Sequence, residues 1–392
     1  MPKSHDSLIR IFLIYLRLGC ISFGGPVAHL GYFKDEFVNR RKWLSDARYT
    51  ELLGLCQFVP GPSSSQLGFA IGWHKGGLPG ACLAWLGFTL PSALLMIAFA
   101  YGLFAVGDSA NAFVGGLLTA AVAVVANAVL GLGKKLCPDL PRILIALAST
   151  ALILMIPSSW MQICVVLLGV CIGNLLFRKS AATPTEHAPQ LSVAPLLVYV
   201  SLIVYCTLLG ISIYINSSTA HASIYAANYQ AGALVFGGGH VVLPLLENGL
   251  VPKFLTESNF LAGYSAAQAL PGPLFTLSAF LGTASGTTQP YFLGGLGALI
   301  AIFLPGLLLL LGLLPYWNKL RDRPWAKAGL TGANAAVVGL LLAALINPVW
   351  PHGIHSLVDF TIGTIAFIAL YRFKTSAWIV VLSCGIASAL LS

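Results

Sequence analysis

Not one Asp, Glu, Lys or Arg interrupts residues 258–318, which read SNFLAGYSAAQALPGPLFTLSAFLGTASGTTQPYFLGGLGALIAIFLPGLLLLLGLLPYWN. A second run without these charged residues extends from 187 to 246. A helix needs about 20 apolar residues to cross the hydrocarbon core of a bilayer, so each run predicts at least two crossings. Lipid cannot satisfy exposed backbone groups, and neither run alternates apolar and polar residues as a membrane strand does. The predicted spanning element is therefore the α-helix.

The composition of the whole chain indicates the same class. Only 8% of its residues are charged and its mean hydropathy is +0.86, whereas a soluble domain carries about 25% charged residues. The net charge of +9 does not indicate a nucleic-acid partner, because the Lys and Arg residues fall in short loops, as they do on the cytoplasmic side of membrane proteins. The Cys residues are scattered through apolar segments, so we interpret them as small hydrophobic residues.

The apolar segments predict an all-α integral membrane protein with about 13 transmembrane helices. The predicted crossings cover residues 8–31, 49–74, 78–105, 110–133, 141–157, 160–177, 193–216, 222–246, 258–287, 290–314, 327–346, 354–371 and 375–391. The polar stretch from Arg178 to Ser192 is the clearest linker.

The chain repeats itself at an offset of 211 residues, and Pro60-Gly61-Pro62 matches Pro271-Gly272-Pro273. Further along, Leu90-Pro91 matches Leu304-Pro305. The other matched pairs include His29 with His240, Glu36 with Glu247, Asp46 with Glu257 and Gln57 with Gln268. Repeats of this length are typical of secondary transporters. We predict an N-terminal membrane repeat over 1–178, a linker with one connecting helix over 179–218, and a C-terminal membrane repeat over 219–392.

The distribution of basic residues predicts that the two repeats are inverted. Basic residues mark four loops as cytoplasmic: those with Lys134 and Lys135, with Arg178 and Lys179, from Lys319 to Lys327, and with Arg372 and Lys374. Thirteen crossings then place the N-terminus inside and the C-terminus outside, and helix 193–216 is the odd crossing. The loop 34–48 contradicts this pattern, because its basic residues fall outside.

Pro60-Gly61-Pro62 is the strongest candidate for function, because it breaks an apolar helix. The next half-helix begins with Ser63, Ser64, Ser65 and Gln66. Its free backbone N–H groups, its positive dipole end and the hydroxyls suit a tetrahedral oxyanion. A packing kink is the alternative. The second break, Pro271, Gly272 and Pro273, lacks the serines, so we expect the first to supply more anion donors.

Glycine-rich segments provide a second group of candidates. Gly24, Gly25 and Pro26 precede His29, and Gly237, Gly238 and Gly239 precede His240. The histidines could donate to an anion or carry a proton, while helix packing through small residues is the alternative. The remaining candidates are Arg17 as a residue of a polar interior, Glu51 as a proton carrier or counter-ion, Arg41 within a basic cluster, and Gln57 and Gln268 beside the breaks.

Several stretches resemble the chromate transporter family. They are FGGPVAHLGYF, RRKWL, LCQFVPGPSSSQLGFAIGW and GGLPGACLAWLGFTLPS in the first half, and FGGGHVVLPLL and QALPGPLFTLSAFLG in the second. The resemblance implies a chromate exporter of the bacterial inner membrane with two homologous domains of opposite orientation. It maps the family motifs onto Gly24 to Pro26, Arg41, Trp43, Gln57, Pro60 to Gln66 and Gly68, and onto Phe236 to His240, Pro244, Gln268 and Pro271 to Pro273.

We therefore expect a secondary transporter that exports chromate by alternating access, driven by the membrane potential, by proton coupling, or by both. The alternatives are a sulfate-type importer or exchanger, an anion channel, and a membrane-embedded enzyme. No nucleophile–base pair, metal-ligand cluster or phosphate-binding loop occurs in the sequence, so we expect neither catalysis nor a cofactor. The expected partners are the oxyanion and membrane lipid. A homodimer, in which a second copy of the chain is the partner, is a further possibility.

Overall fold

The computed structural model describes residues 7–106, 111–156, 159–178, 193–217, 223–236, 239–285, 291–317 and 323–391. Gly237, Gly238, the side chains of Pro26 and His240, and most of the predicted linker lie outside the described residues. Helices dominate the described chain, and no strand occurs in it. The helices are α1 (Leu8–Ile21), α2 (Gly25–Lys34), α3 (Asp46–Phe58), α4 (Ser63–Val106), α5 (Asn111–Leu136), α6 (Leu140–Met155), α7 (Ser159–Phe177), α8 (Pro195–Ser217), α9 (Ile224–Leu234), α10 (Val242–Leu250), α11 (Glu257–Ala269), α12 (Leu277–Ala284), α13 (Phe292–Leu313), α14 (Pro324–Ala344), α15 (Leu357–Tyr371) and α16 (Ala377–Leu391).

Five helices are long and apolar enough to cross a membrane: Ser63–Val106, Ala112–Leu136, Pro195–Ser217, Phe292–Tyr316 and Pro324–Gly353. The first of them departs from helical geometry at Gly76 and Gly77, next to Pro79. The prediction of an all-α, multi-pass membrane protein is confirmed. The count of thirteen crossings and the inversion of the repeats stay predictions.

Four of the predicted crossings are split in two at the glycine and proline motifs. The chain leaves the helix between Ile21 and Gly25 and again between Phe58 and Ser63. In the second repeat it does so after Leu234 and after Ala269. Proline removes a backbone donor and clashes with the preceding helical turn, and glycine favours neither helix nor strand. The predicted helix breaks at both Pro-Gly-Pro motifs are confirmed.

The chain forms two compact units. Unit 1 contains Met1–Ala100, His187–Ala233 and Leu270–Trp317, and unit 2 contains Tyr101–Glu186, Leu234–Ala269 and Asn318–Ser392. Each unit takes segments from both halves of the sequence, so a spatial unit is not a sequence repeat. Both Pro-Gly-Pro motifs belong to unit 1.

Small residues let helices approach closely within each unit. In unit 1 a Cβ atom added at Gly19 would lie 2.7 Å from the backbone oxygen of Phe88. In unit 2 a Cβ atom added at Gly173 would collide with the backbone oxygen of Ala328. Such contacts are typical of membrane helices, whose association depends on close van der Waals packing instead of the exclusion of water.

Candidate anion-binding site

Hydrogen bonds from the Gln66 side chain hold the first Pro-Gly-Pro segment in its non-helical conformation. Gly61 has a φ of +127°, a conformation that L side chains rarely adopt. The Nε2 atom of Gln66 donates to the backbone oxygens of Pro60 and Gly306, both at 2.9 Å. Since both acceptors are carbonyls, the donating atom must be the amide nitrogen. Gln66 therefore ties the first break to α13.

The second Pro-Gly-Pro segment is tied to the end of α1. Gly272 has a φ of +98°, and its backbone N–H donates to the backbone oxygen of Ser22 at 2.9 Å. A Cβ atom added at Gly272 would lie 2.7 Å from the Oγ atom of Ser92. This break is thus fixed from two sides by elements of the first repeat.

Each break contacts the other sequence repeat at the equivalent position. Gly61, in the first repeat, approaches Gly306, which follows Leu304-Pro305 of the second repeat. Gly272, in the second repeat, approaches Ser92, which follows the matching Leu90-Pro91 of the first. Reciprocal contacts of this kind characterise a two-fold relation between equivalent elements. Within unit 1, elements of the two sequence repeats therefore lie directly beside each other.

His29 connects the first break with the end of α1. Its side chain is fully buried and meets the ring of Phe88 edge-on, with the ring centroids 5.2 Å apart. Its Nε2 atom lies 3.1 Å from the backbone oxygen of Ser22, and its Nδ1 atom lies 3.4 Å from the Oγ atom of Ser64. The Ser22 oxygen thus accepts from both His29 and Gly272, and a chain of contacts runs from α4 to the second break.

Several hydroxyls around these contacts are buried and have no hydrogen-bond partner among the described residues. They belong to Ser22, Ser65, Thr89 and Ser278. A buried hydroxyl without a partner costs about 1–3 kcal/mol, so a group of them indicates a ligand or bound water. Ser278 lies in the first turn of α12, just after the second break. Unsatisfied donors therefore flank both breaks.

The start of α4 adds backbone donors to this group. Its first hydrogen bond runs from the Gln66 N–H to the Pro62 oxygen, at 2.9 Å. The N–H groups of the preceding turn, from Ser63 to Ser65, have no partner inside the helix and lie at its positive end. Neutral donors on a helix N-terminus can surround an oxyanion without a basic side chain.

Several basic side chains of the first repeat are instead paired with acids. Arg40 and Arg41 both bind the carboxylate of Glu36, at 3.0 and 2.6 Å. Arg48 and Glu51 form a buried ion pair. Arg41, which the sequence suggested as a binding residue, also lies over the ring of Trp43. Arg41 thus shares one carboxylate with Arg40, and Glu51 has a cationic partner in Arg48.

Other predicted residues lie apart from this group. Gln57 and Arg17 are exposed, on α3 and α1 respectively. Gln268 belongs to unit 2, where its side chain hydrogen-bonds to Tyr264. Gly24 and Gly25 begin α2 with φ angles of +97° and +72°, and Gly239 is buried in unit 2.

The structure brings together His29, Ser64, Ser65, Gln66 and both Pro-Gly-Pro motifs. Sequence reasoning missed Ser22, Thr89, Ser92, Ser278 and Gly306 as members of this group. Two signals were available: Ser22 directly precedes the Phe-Gly-Gly motif, and Ser92 and Gly306 directly follow the matched Leu-Pro pairs. No group of three or more His, Cys, Asp or Glu side chains suited to a metal ion occurs in the described part of the chain.

Comparison with known proteins gives a consistent result over almost the whole chain. The sequence profile of the chromate transporter family matches residues 9–174 and 222–389. A probable chromate transport protein of Synechococcus elongatus is 29% identical over 406 residues, covering 94% of this chain and 94% of that protein. A chromate transport protein of Pseudomonas aeruginosa is 28% identical, covering 98% and 92%. One from Cupriavidus metallidurans is also 28% identical, covering 87% and 82%. No solved structure matches this chain.

Proposed function

Because the chain belongs to the chromate transporter family, we propose that it exports chromate across the bacterial inner membrane and binds it at the two Pro-Gly-Pro breaks of unit 1. Members of this family are transporters, so the chain is a transport protein and not an enzyme. The observation that carries the proposed site is the group of buried hydroxyls without partners beside both breaks.

The chemistry of these donors fits a tetrahedral dianion. Hydroxyl and backbone N–H groups can surround four oxygens without placing a full positive charge in the membrane, where a charged side chain is costly. Release also requires that binding is not too strong, and neutral donors bind an anion less strongly than arginines do. Sulfate has the same shape and charge, so we expect it to compete.

Discontinuous helices at matching positions of two repeats are typical of alternating-access carriers. In this proposal the repeats are inverted, the N-terminus is cytoplasmic and the C-terminus periplasmic. The membrane potential favours export, since a dianion that leaves a negative interior gains about 4.6 kcal/mol per 100 mV.

The proposal is tested with purified protein in inverted proteoliposomes that carry an imposed potential and no pH gradient. We expect saturable chromate accumulation that sulfate inhibits. Ser64→Ala should reduce the flux at least about tenfold, because it removes a buried hydroxyl from the site. Ser217→Ala is the matched control, since that serine is exposed on α8 and donates to the Tyr214 oxygen of its own turn. No accumulation by the wild type, or equal flux in both variants, would contradict the proposal. A flux that does not saturate would favour a channel.

A further inference from the structure

His29 and Ser64 share a contact whose direction depends on a proton. The Nε2 atom of His29 lies 3.1 Å from the Ser22 carbonyl oxygen, which can only accept, so this nitrogen carries a hydrogen. The Nδ1 atom of the neutral ring is then an acceptor. The Ser64 hydroxyl, 3.4 Å away, must point its single hydrogen at that nitrogen.

Protonation of His29 reverses this contact. Both ring nitrogens of an imidazolium are donors, so Nδ1 donates to the Ser64 oxygen. The hydroxyl hydrogen is then free to turn toward another acceptor. Ser64 lies in the first turn of α4 beside Ser65, whose hydroxyl has no partner among the described residues. One proton on His29 thus adds a donor and a positive charge beside the proposed anion position.

The charged groups on the elements around His29 are engaged elsewhere, and no described carboxylate contacts the ring. Arg48 and Glu51 of α3 pair with each other. The other titratable groups nearby are Arg10 and Arg17, which are exposed on α1; Tyr15, which donates to the Gly68 oxygen; Tyr49, which donates to the Leu30 oxygen; Lys34, which pairs with Asp46; and Lys75, which lies over Trp43. The anion itself is therefore the charge that can stabilise an imidazolium here.

We propose that His29 takes up one proton when the dianion binds, so that each transported oxyanion carries one net negative charge instead of two. This inference rests on the proposed function. The proton comes from water on the side from which the anion enters and forms an N–H bond at Nδ1. No bond of the anion breaks. On the opposite side the anion leaves, Nδ1 loses the proton to water, and the Ser64 hydroxyl again donates to the ring.

The decisive measurement is calorimetric titration of the purified, detergent-solubilised chain with chromate in two buffers of different ionisation enthalpy. At a pH where the imidazole of the free protein is neutral, we expect one proton taken up per chromate. The affinity should fall about tenfold for each pH unit, since binding is linked to one proton.

His29→Gln is the informative variant, because its amide can donate to the Ser22 oxygen and accept from Ser64 without titrating. We expect it to bind chromate more weakly, with no proton uptake and no dependence on pH. His355→Gln is the control, since His355 is exposed in unit 2, and it should behave as the wild type does.

Chromate binding by the wild type without proton uptake overturns this inference and leaves the proposed function standing. Proton uptake that persists in correctly folded His29→Gln also overturns it, because the proton then resides elsewhere. Absence of chromate binding in the wild type refutes the proposed function instead. If the variant cannot be purified, the charge moved per chromate by the wild type, measured from the reversal potential in proteoliposomes, decides between one charge and two.

Discussion

The two Pro-Gly-Pro breaks share a backbone conformation but differ in the side chains that follow them. Both contain a glycine in the left-handed region, and each approaches the residue after the Leu-Pro pair of the other repeat. The side chains that follow differ at several matched positions, among them Ser64 against Phe275, Ser65 against Thr276 and Gln66 against Leu277. Phe275 packs against Phe303, whereas Ser64 contacts His29.

The two matched hydroxyls show the difference most clearly. The Oγ1 atom of Thr276 donates to the Pro273 oxygen at 2.8 Å and closes its own turn. The Oγ atom of Ser65 has no partner among the described residues. Duplication has therefore preserved the geometry of the break in both copies, while the second copy satisfies its donor internally and the first leaves its donor free for a ligand.

The largest losses of stability and chromate flux are expected when the two matched glycines, Gly61 and Gly272, are replaced by alanine. Gly61→Ala places a Cβ atom 2.9 Å from the Cα atom of Gly306, a backbone atom that cannot move aside. Gly272→Ala meets the Oγ atom of Ser92, which can rotate away. Each pays about 1–2 kcal/mol for the left-handed conformation, so Gly61→Ala should lose more thermal stability and all chromate flux.

The asymmetry between the glycines can be checked with a second substitution. Ser92→Gly should recover part of the stability that Gly272→Ala loses, measured as a coupling energy in a double-mutant cycle of melting temperatures in detergent. Equal losses for the two alanine variants, with no recovery by Ser92→Gly, would show that the breaks are not held by the contacts described above.

A smaller loss of stability is expected when Gln66, beside the first break, is replaced by leucine, the residue at the matched position 277 of the second repeat. Gln66→Leu removes the two hydrogen bonds by which this side chain joins Pro60 to Gly306. The free energy of unfolding should fall by about 1–3 kcal/mol, the net contribution of two hydrogen bonds. The reverse change, Leu277→Gln, introduces a buried amide at the matched position and serves as the control. A Gln66→Leu variant with wild-type stability would mean that the side chain does not hold the break.

The sequence predicted those features that depend on local chemistry. The charge-free runs determine the membrane class, and proline and glycine predict where the helices break. The resemblance further implied which motifs belong to the family. Each of these depends on residues that are neighbours along the chain, or on motifs that are recognisable as strings of letters.

Contacts distant in sequence could not be predicted in this way. Gln66 and Gly306 are 240 residues apart. The repeat shows that Gly306 follows a matched Leu-Pro pair, but it does not indicate that Gln66 is its partner. Ser22 contacts His29 and Gly272 through its backbone oxygen, which every residue has, so its side chain does not predict these two contacts. Gln57 stays a prediction: it precedes the break by one turn, and the rotation of α3 buries Leu55 and Cys56 and leaves Gln57 exposed.

The smallest changes in stability are expected when the matched hydroxyls of Ser65 and Thr276 are removed one at a time. Thr276→Ala removes an internal hydrogen bond at the start of a helix and should cost about 1 kcal/mol of stability, with chromate affinity nearly unchanged. Ser65→Ala removes a donor that no described residue uses, so its stability should be unchanged or slightly higher. Its chromate affinity should fall about tenfold, because one hydrogen bond to an anion is lost. Melting temperature and calorimetric affinity, measured on the same preparations, test both expectations. If Thr276→Ala weakens chromate binding as much as Ser65→Ala does, the two breaks contribute equally to the site and the division of labour between them is wrong.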